Sequence, residues 1–129
     1  VKPLLFITLI AVALASASGK DLKFPAFEVS LHDAPAIRFR FSEADASSSS
    51  PVIISVPGRA LGKKDREYRV DLQKHWLSVN VPKGLTFRRR TLDKCEYKRD
   101  GQPPIADHYA FEDAAGHPFD YYFYVGNWP

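Results

Sequence analysis

Tyr109-Ala110-Phe111-Glu112-Asp113-Ala114-Ala115-Gly116-His117-Pro118-Phe119-Asp120-Tyr121-Tyr122-Phe123-Tyr124-Val125 is the stretch that decides the fold class. Two runs, Tyr109 to Glu112 and Phe119 to Val125, flank Asp113-Ala114-Ala115-Gly116, and together they spell a β-hairpin. Aspartate suits the first position of a type I turn because its carboxylate accepts a neighbouring backbone N–H. Gly116 tolerates the left-handed backbone that closes such a turn. In the second run Phe119, Tyr121, Phe123 and Val125 alternate with Asp120, Tyr122 and Tyr124, the period of two that a strand imposes.

The same period extends towards the N-terminus. Phe27, Val29 and Leu31 alternate with Glu28 and Ser30, and Ile37, Phe39 and Phe41 with Arg38, Arg40 and Ser42, predicting two strands joined through His32-Asp33-Ala34-Pro35. Val52 to Val56, between Pro51 and Pro57-Gly58, is a short apolar run interrupted only by Ser55 and predicts a central strand. Tyr68, Val70 and Leu72 alternate with Arg69 and Asp71, and Leu77, Val79 and Val81 with Trp76, Ser78 and Asn80. Pro82-Lys83-Gly84 then reads as a hairpin loop before a returning strand from Leu85 to Leu92. Cys95 and Tyr97 keep the alternation until Arg99 to Pro104 breaks it. Ser42 to Ser50 is polar, ends in four serines and reads as a mobile loop.

The expectation is an all-β domain, an antiparallel β-sandwich or small barrel of about eight short strands. Its alternative is one curved sheet with one short helix across it, since Lys63 to Lys74 can be helical if Gly62 precedes it; the alternation at Tyr68, Val70 and Leu72 favours a strand there.

Residues 1–17 stand apart from this pattern. Lys2 supplies a positive start, Leu4 to Leu14 an apolar run and Ala15-Ser16-Ala17 a small-residue cleavage site, the layout of a cleavable signal peptide. The run is shorter than the roughly 20 residues of a membrane span. The expectation is therefore export to the periplasm or secretion, with residues 18–129 as a single β-rich domain and no stable membrane anchor after cleavage. Val1 followed by lysine fits a bacterial gene with an alternative start codon. Cys95 is the only cysteine, so no disulfide forms within the chain, and a buried inert thiol is the simplest role for it. Loss of Lys2 lowers the formal charge from +3 to +2, a balance that does not call for nucleic acid.

Chemistry-bearing residues gather near the C-terminus, where Asp107, His108, Glu112, Asp113, His117 and Asp120 are the densest such set. His108 and His117 fall at opposite ends of the hairpin, too far apart to share a metal, and no zinc spacing is present. No serine sits in a nucleophile elbow, and no cofactor motif is present, so neither a catalytic residue nor a cofactor is assigned. A small hydrolase on the acid and histidine set is the least favoured reading.

Arg38 and Arg40 share one strand face and Arg88 and Arg90 another, either as an anion-binding face or as an ordinary solvated one. Tyr122, Tyr124 and Trp128 lie opposite the core-facing aromatics, either as a contact surface or as a strand covered on both faces. Taken as a recognition surface, Tyr122, Tyr124, Trp128, Arg88, Arg90, Arg38 and Arg40 predict a non-catalytic binding module for a protein partner with an acidic surface, of inhibitor or immunity type. The alternative is a carbohydrate or envelope-polymer binder that stacks sugars on Tyr122 and Trp128.

Overall fold

The computed structural model describes residues 23–129, so the expected signal peptide over 1–17 lies outside the described residues. The described residues are mostly β, with two three-stranded antiparallel sheets and one short α-helix. β1 (Phe27–Val29), β2 (Phe39–Phe41) and β3 (Ile54–Ser55) form the first sheet in that order. A 3-10 segment (Lys63–Tyr68) runs into α1 (Arg69–Asn80). β4 (Thr86–Lys94), β5 (Ile105–Glu112) and β6 (Pro118–Tyr124) form the second sheet. The two sheets meet edge to edge at Val52, whose N–H donates to the Tyr122 carbonyl while its own carbonyl accepts from the Tyr124 N–H, both at 2.9 Å. The predicted central run therefore has β2 on one side and β6 on the other.

Among the described residues six strands form where the alternation predicts about eight, and the strands expected at residues 68–72 and 77–81, between Gly62 and Gly84, are absent. Lys63 to Asn80 is helical, not two strands. Its start is fixed by Asp65, whose carboxylate accepts the Gly62 N–H at 2.7 Å and so satisfies a donor that a helix start leaves unpaired. Buried positions in α1 are Leu72, Gln73, Trp76 and Leu77, a helical stripe that cuts across the apparent alternation. Gln73 hides that stripe in the sequence because it is polar yet fully buried, and Val79 obscures it from the other side because it is apolar yet 57% exposed. Pro82 ends the helix by forcing Val81 into an extended backbone (φ −79°, ψ 131°). Pro82-Lys83-Gly84 thus joins a helix to β4 and is not a hairpin loop.

The C-terminal hairpin forms as its sequence predicts. Asp113 Oδ1 accepts the N–H groups of Ala115 and His117 at 2.9 and 2.8 Å, and Gly116 closes the turn at φ +85°. Ser42 to Ser50 is not a loose loop. Ala44 and Ala46 are buried, the Ala46 carbonyl accepts the Tyr122 N–H, and Ser48 accepts the N–H groups of Glu96 and Tyr97. Small side chains let this segment lie flat against β6, and its backbone hydrogen bonds replace the apolar mass that it lacks.

The main core gathers Phe39, Phe41, Val52, Ile54, Leu72, Trp76, Tyr109, Tyr121, Phe123 and Val125 between α1 and the sheets. Trp76 is its hub, in edge contact with Phe24 and Phe123 at centroid distances of 4.9 and 5.3 Å. On the opposite face of the second sheet, Cys95, Ala106 and Tyr124 form a smaller cluster with Ile53, Tyr97 and Tyr122 against it. The aromatic C-terminal strand is covered on both faces from Tyr121 to Tyr124, whereas Pro118 to Asp120, with Phe119 of the expected core face, are exposed.

Candidate functional site

Two of the sequence-selected aromatics are interior. Tyr124 is fully buried and its hydroxyl donates to the Pro103 carbonyl at 3.0 Å; Trp128 is 8% exposed and packs in the main core. Tyr122 is half-buried, its ring stacked on His108 at a centroid distance of 4.3 Å. Arg38, just before β2, and Arg40 within it are exposed, 3.7 and 3.6 Å from the Glu28 carboxylate, which neutralises part of their charge.

Arg88 and Arg90 do not share a face, because a β-bulge between Phe87 and Arg89 inserts one residue into β4. Arg90 stands opposite Tyr109, on the face towards α1, whereas Arg88 reaches the Glu112 carboxylate at 3.6 Å. The seven residues therefore do not converge on one surface.

The histidine cluster is brought together in part. His108 lies between two carboxylates, with Nδ1 2.7 Å from Asp93 Oδ2 and Nε2 2.8 Å from Asp120 Oδ1. This bridge spans β4, β5 and β6, and the hydrogen bond from His108 holds the Asp93 carboxyl below its ordinary pKa. A general base needs one ring nitrogen free for the proton it abstracts, and both are engaged here. The arrangement acts as a clasp across the sheet. His117 is an exposed turn residue 2.9 Å from its neighbour Asp113, on the far end of the hairpin. Among the described residues, no group of three or more His, Cys, Asp and Glu side chains is placed to hold a metal ion.

Asp107 faces the opposite way, into the helix–sheet junction. Gln73 Nε2 donates to Asp107 Oδ2 at 2.7 Å, the Tyr109 hydroxyl donates to Gln73 Oε1 at 2.6 Å, and Arg69 Nε lies 3.3 Å from the same Asp107 oxygen. Burial pushes the Tyr109 hydroxyl pKa up, against the pull of the Arg90 and Arg69 cations beside it. Gln73, Asp107 and Tyr109 are all at least 97% buried, which makes this a structural network fixing α1 on β5. Cys95 is likewise internal: burial raises its pKa, and its Sγ lies 3.5 Å from the Tyr97 carbonyl, so it carries little thiolate.

The surface features that sequence reading missed lie along β4. Register places Phe87, Phe111 and Phe119 in one row across the second sheet, on the face towards α1. Phe87 is 53% exposed, its ring 5.6 Å from that of Phe111. Leu92, further along β4, is 62% exposed. The outer edge of β4 makes no backbone hydrogen bond among the described residues, since β4 pairs only with β5. Its nine residues include Arg88, Arg89, Arg90 and Lys94 against the single acid Asp93. The signal was present in the Thr86 to Lys94 sequence, but an expected hairpin partner at residues 77–81 concealed that this strand has a free edge.

No helix among the described residues is long and apolar enough to cross a membrane. Comparison with protein-family models, with curated proteins and with solved structures yields no match.

Proposed function

We propose that the chain is an exported, non-catalytic binding module that holds an acidic protein partner in the periplasm or outside the cell, as an inhibitor or immunity-type protein does. The observation that carries this reading is the free edge of β4, which combines unpaired backbone donors and acceptors, exposed Phe87 and Leu92, and a strongly basic run. An unpaired strand edge is a template for a further strand, and proteins commonly blunt it with charge. Here four cations outnumber the single acid Asp93: the excess repels a second copy of β4 and attracts an acidic segment. Phe87 supplies the apolar anchor for which Tyr124 and Trp128 are too deeply buried.

The doubly engaged His108 supports a binding role over hydrolysis, because His108 and Asp120 hold strands together, Asp107 holds α1, and His117 lies apart in the turn. The test is a pull-down from envelope and secreted fractions with the tagged chain, run beside an Arg88→Glu/Arg89→Glu variant. One stoichiometric protein, retained by the parent and lost by at least about tenfold in the variant, supports the reading. Equal retention by both chains, or capture of polysaccharide alone, overturns it.

A further inference from the structure

We propose that the cleft between α1 and the second sheet binds a free single-chain amphiphile with an apolar tail and one anionic head. The cleft lies where Pro82-Lys83-Gly84 joins the end of α1 to β4, and it is lined from both elements and from β5. Its apolar lining comes from Leu77 of α1, Val81 and Leu85 of the connection, Phe87 of β4, and Tyr109 and Phe111 of β5. Its volume is about 430 Å³. That lies within the roughly 300 to 1,000 Å³ of small-molecule sites, and such sites pair apolar walls with a few placed polar groups.

The polar groups here have one sign. Lys74 from α1 and Lys83 from the turn stand at the cleft, both exposed, and no acidic side chain lines it. Neither lysine has a carboxylate within ion-pair distance among the described residues, in contrast to Arg38, Arg40, Arg59, Arg69 and Arg88. Apolar walls with two uncompensated ammonium groups complement a tail that ends in a carboxylate or sulfate. The apolar side chains face a concavity, which suits a single tail taken from solution more than the flat surface of a bilayer.

The site shares Phe87 with the β4 surface, but its lysines stand on α1 and in the turn before β4 and its ligand is a small amphiphile, so it goes beyond the protein-binding reading. Dodecanoate, kept below its micelle concentration, is titrated into the full chain by calorimetry, with neutral dodecyl maltoside and cationic dodecyltrimethylammonium as comparisons. Saturable binding of one dodecanoate is expected, weakened about tenfold by Lys74→Glu/Lys83→Glu. The Arg88→Glu/Arg89→Glu chain is expected to bind dodecanoate as the parent does, so loss of the protein partner and loss of the amphiphile are separate results. Absence of saturable binding, equal binding of all three amphiphiles, or indifference to the lysine reversals overturns the proposal. So does capture on anionic phospholipid vesicles without binding of dodecanoate.

Discussion

Asp65 shows how one side chain sets where a helix starts. It is 3% exposed, receives two hydrogen bonds from Arg59 at 2.8 and 3.2 Å, and accepts the Gly62 N–H. The Arg59 hydrogen bonds, and after them that of Gly62, hold its carboxyl below the ordinary pKa, although desolvation opposes them. A carboxyl lowered in the folded state adds stability above its unfolded pKa of about 4, and this stability is lost as pH falls through the folded value. Asp65→Ala is expected to cost about 1 to 3 kcal/mol at neutral pH in urea denaturation, and to make the loss of stability below about pH 4 shallower. Two glycines separate backbone strain from collision. At Gly116 a Cβ would meet nothing within 4 Å, so Gly116→Ala is expected to cost only about 1 to 2 kcal/mol of left-handed backbone strain. At Gly126 a Cβ would overlap the Pro103 carbonyl oxygen and the Tyr124 ring. Gly126→Ala is therefore expected to exceed about 3 kcal/mol, and the difference between the two melting temperatures checks the contrast.

At the level of elements, two polar devices lock the second sheet from opposite faces. On one face Gln73, Asp107 and Tyr109 tie α1 to β5; on the other, His108 ties β5 to β4 and β6. Gln73→Leu fits the volume but leaves the Tyr109 hydroxyl without its acceptor and Asp107 with Arg69 alone. A loss of about 2 to 4 kcal/mol is expected, against about 1 kcal/mol for Tyr109→Phe, in the same denaturation series. For His108→Ala the expected cost at neutral pH is about 1 to 2 kcal/mol, because Asp93 and Asp120 are then left facing one another. Asp93 is lowered mainly by the hydrogen bond from His108, so its contribution in the parent is present above the ordinary carboxylate range and fades as pH falls through the folded value. A His108→Ala chain with an unchanged acid limb would show that the clasp contributes nothing.

Across the whole molecule, the two sheets and α1 share one core, and Trp76 touches elements from both halves of the chain. The Val52 junction adds backbone bonds between the sheets, and Asn127 Nδ2 donates to the Ile54 carbonyl at 2.8 Å, pinning the C-terminal segment to the first sheet. Shared burial of this kind predicts a single cooperative transition in which tyrosine fluorescence, near-ultraviolet and far-ultraviolet dichroism coincide. Trp76→Ala is expected to cost about 3 to 5 kcal/mol, a large part of the total stability of a domain this size, and to broaden or abolish that transition. Separate transitions for the probes in the parent chain would show that the sheets fold independently.

The sequence determined by itself what depends on neighbours along the chain. Asp113 and Gly116 encode their own turn, the strict alternation around Phe27 to Phe41 encodes two strands, and Tyr121, Phe123 and Val125 declare a core face because period two leaves them no other side. Tertiary structure decided whatever depended on a partner distant in sequence. Tyr68 to Leu72 reads as a strand until Asp65 meets Arg59 and Gln73 meets Asp107, 34 positions away. Tyr124 looks like a surface anchor until Cys95 and Ala106 cover it, and Ser42 to Ser50 looks loose until β6 receives it. A bulge of one residue separates Arg88 from Arg90, and no local pattern announces it. Alternation specifies that a strand has two faces; only the packed fold assigns each face its cover and leaves the edge of β4 and the cleft beneath α1 open.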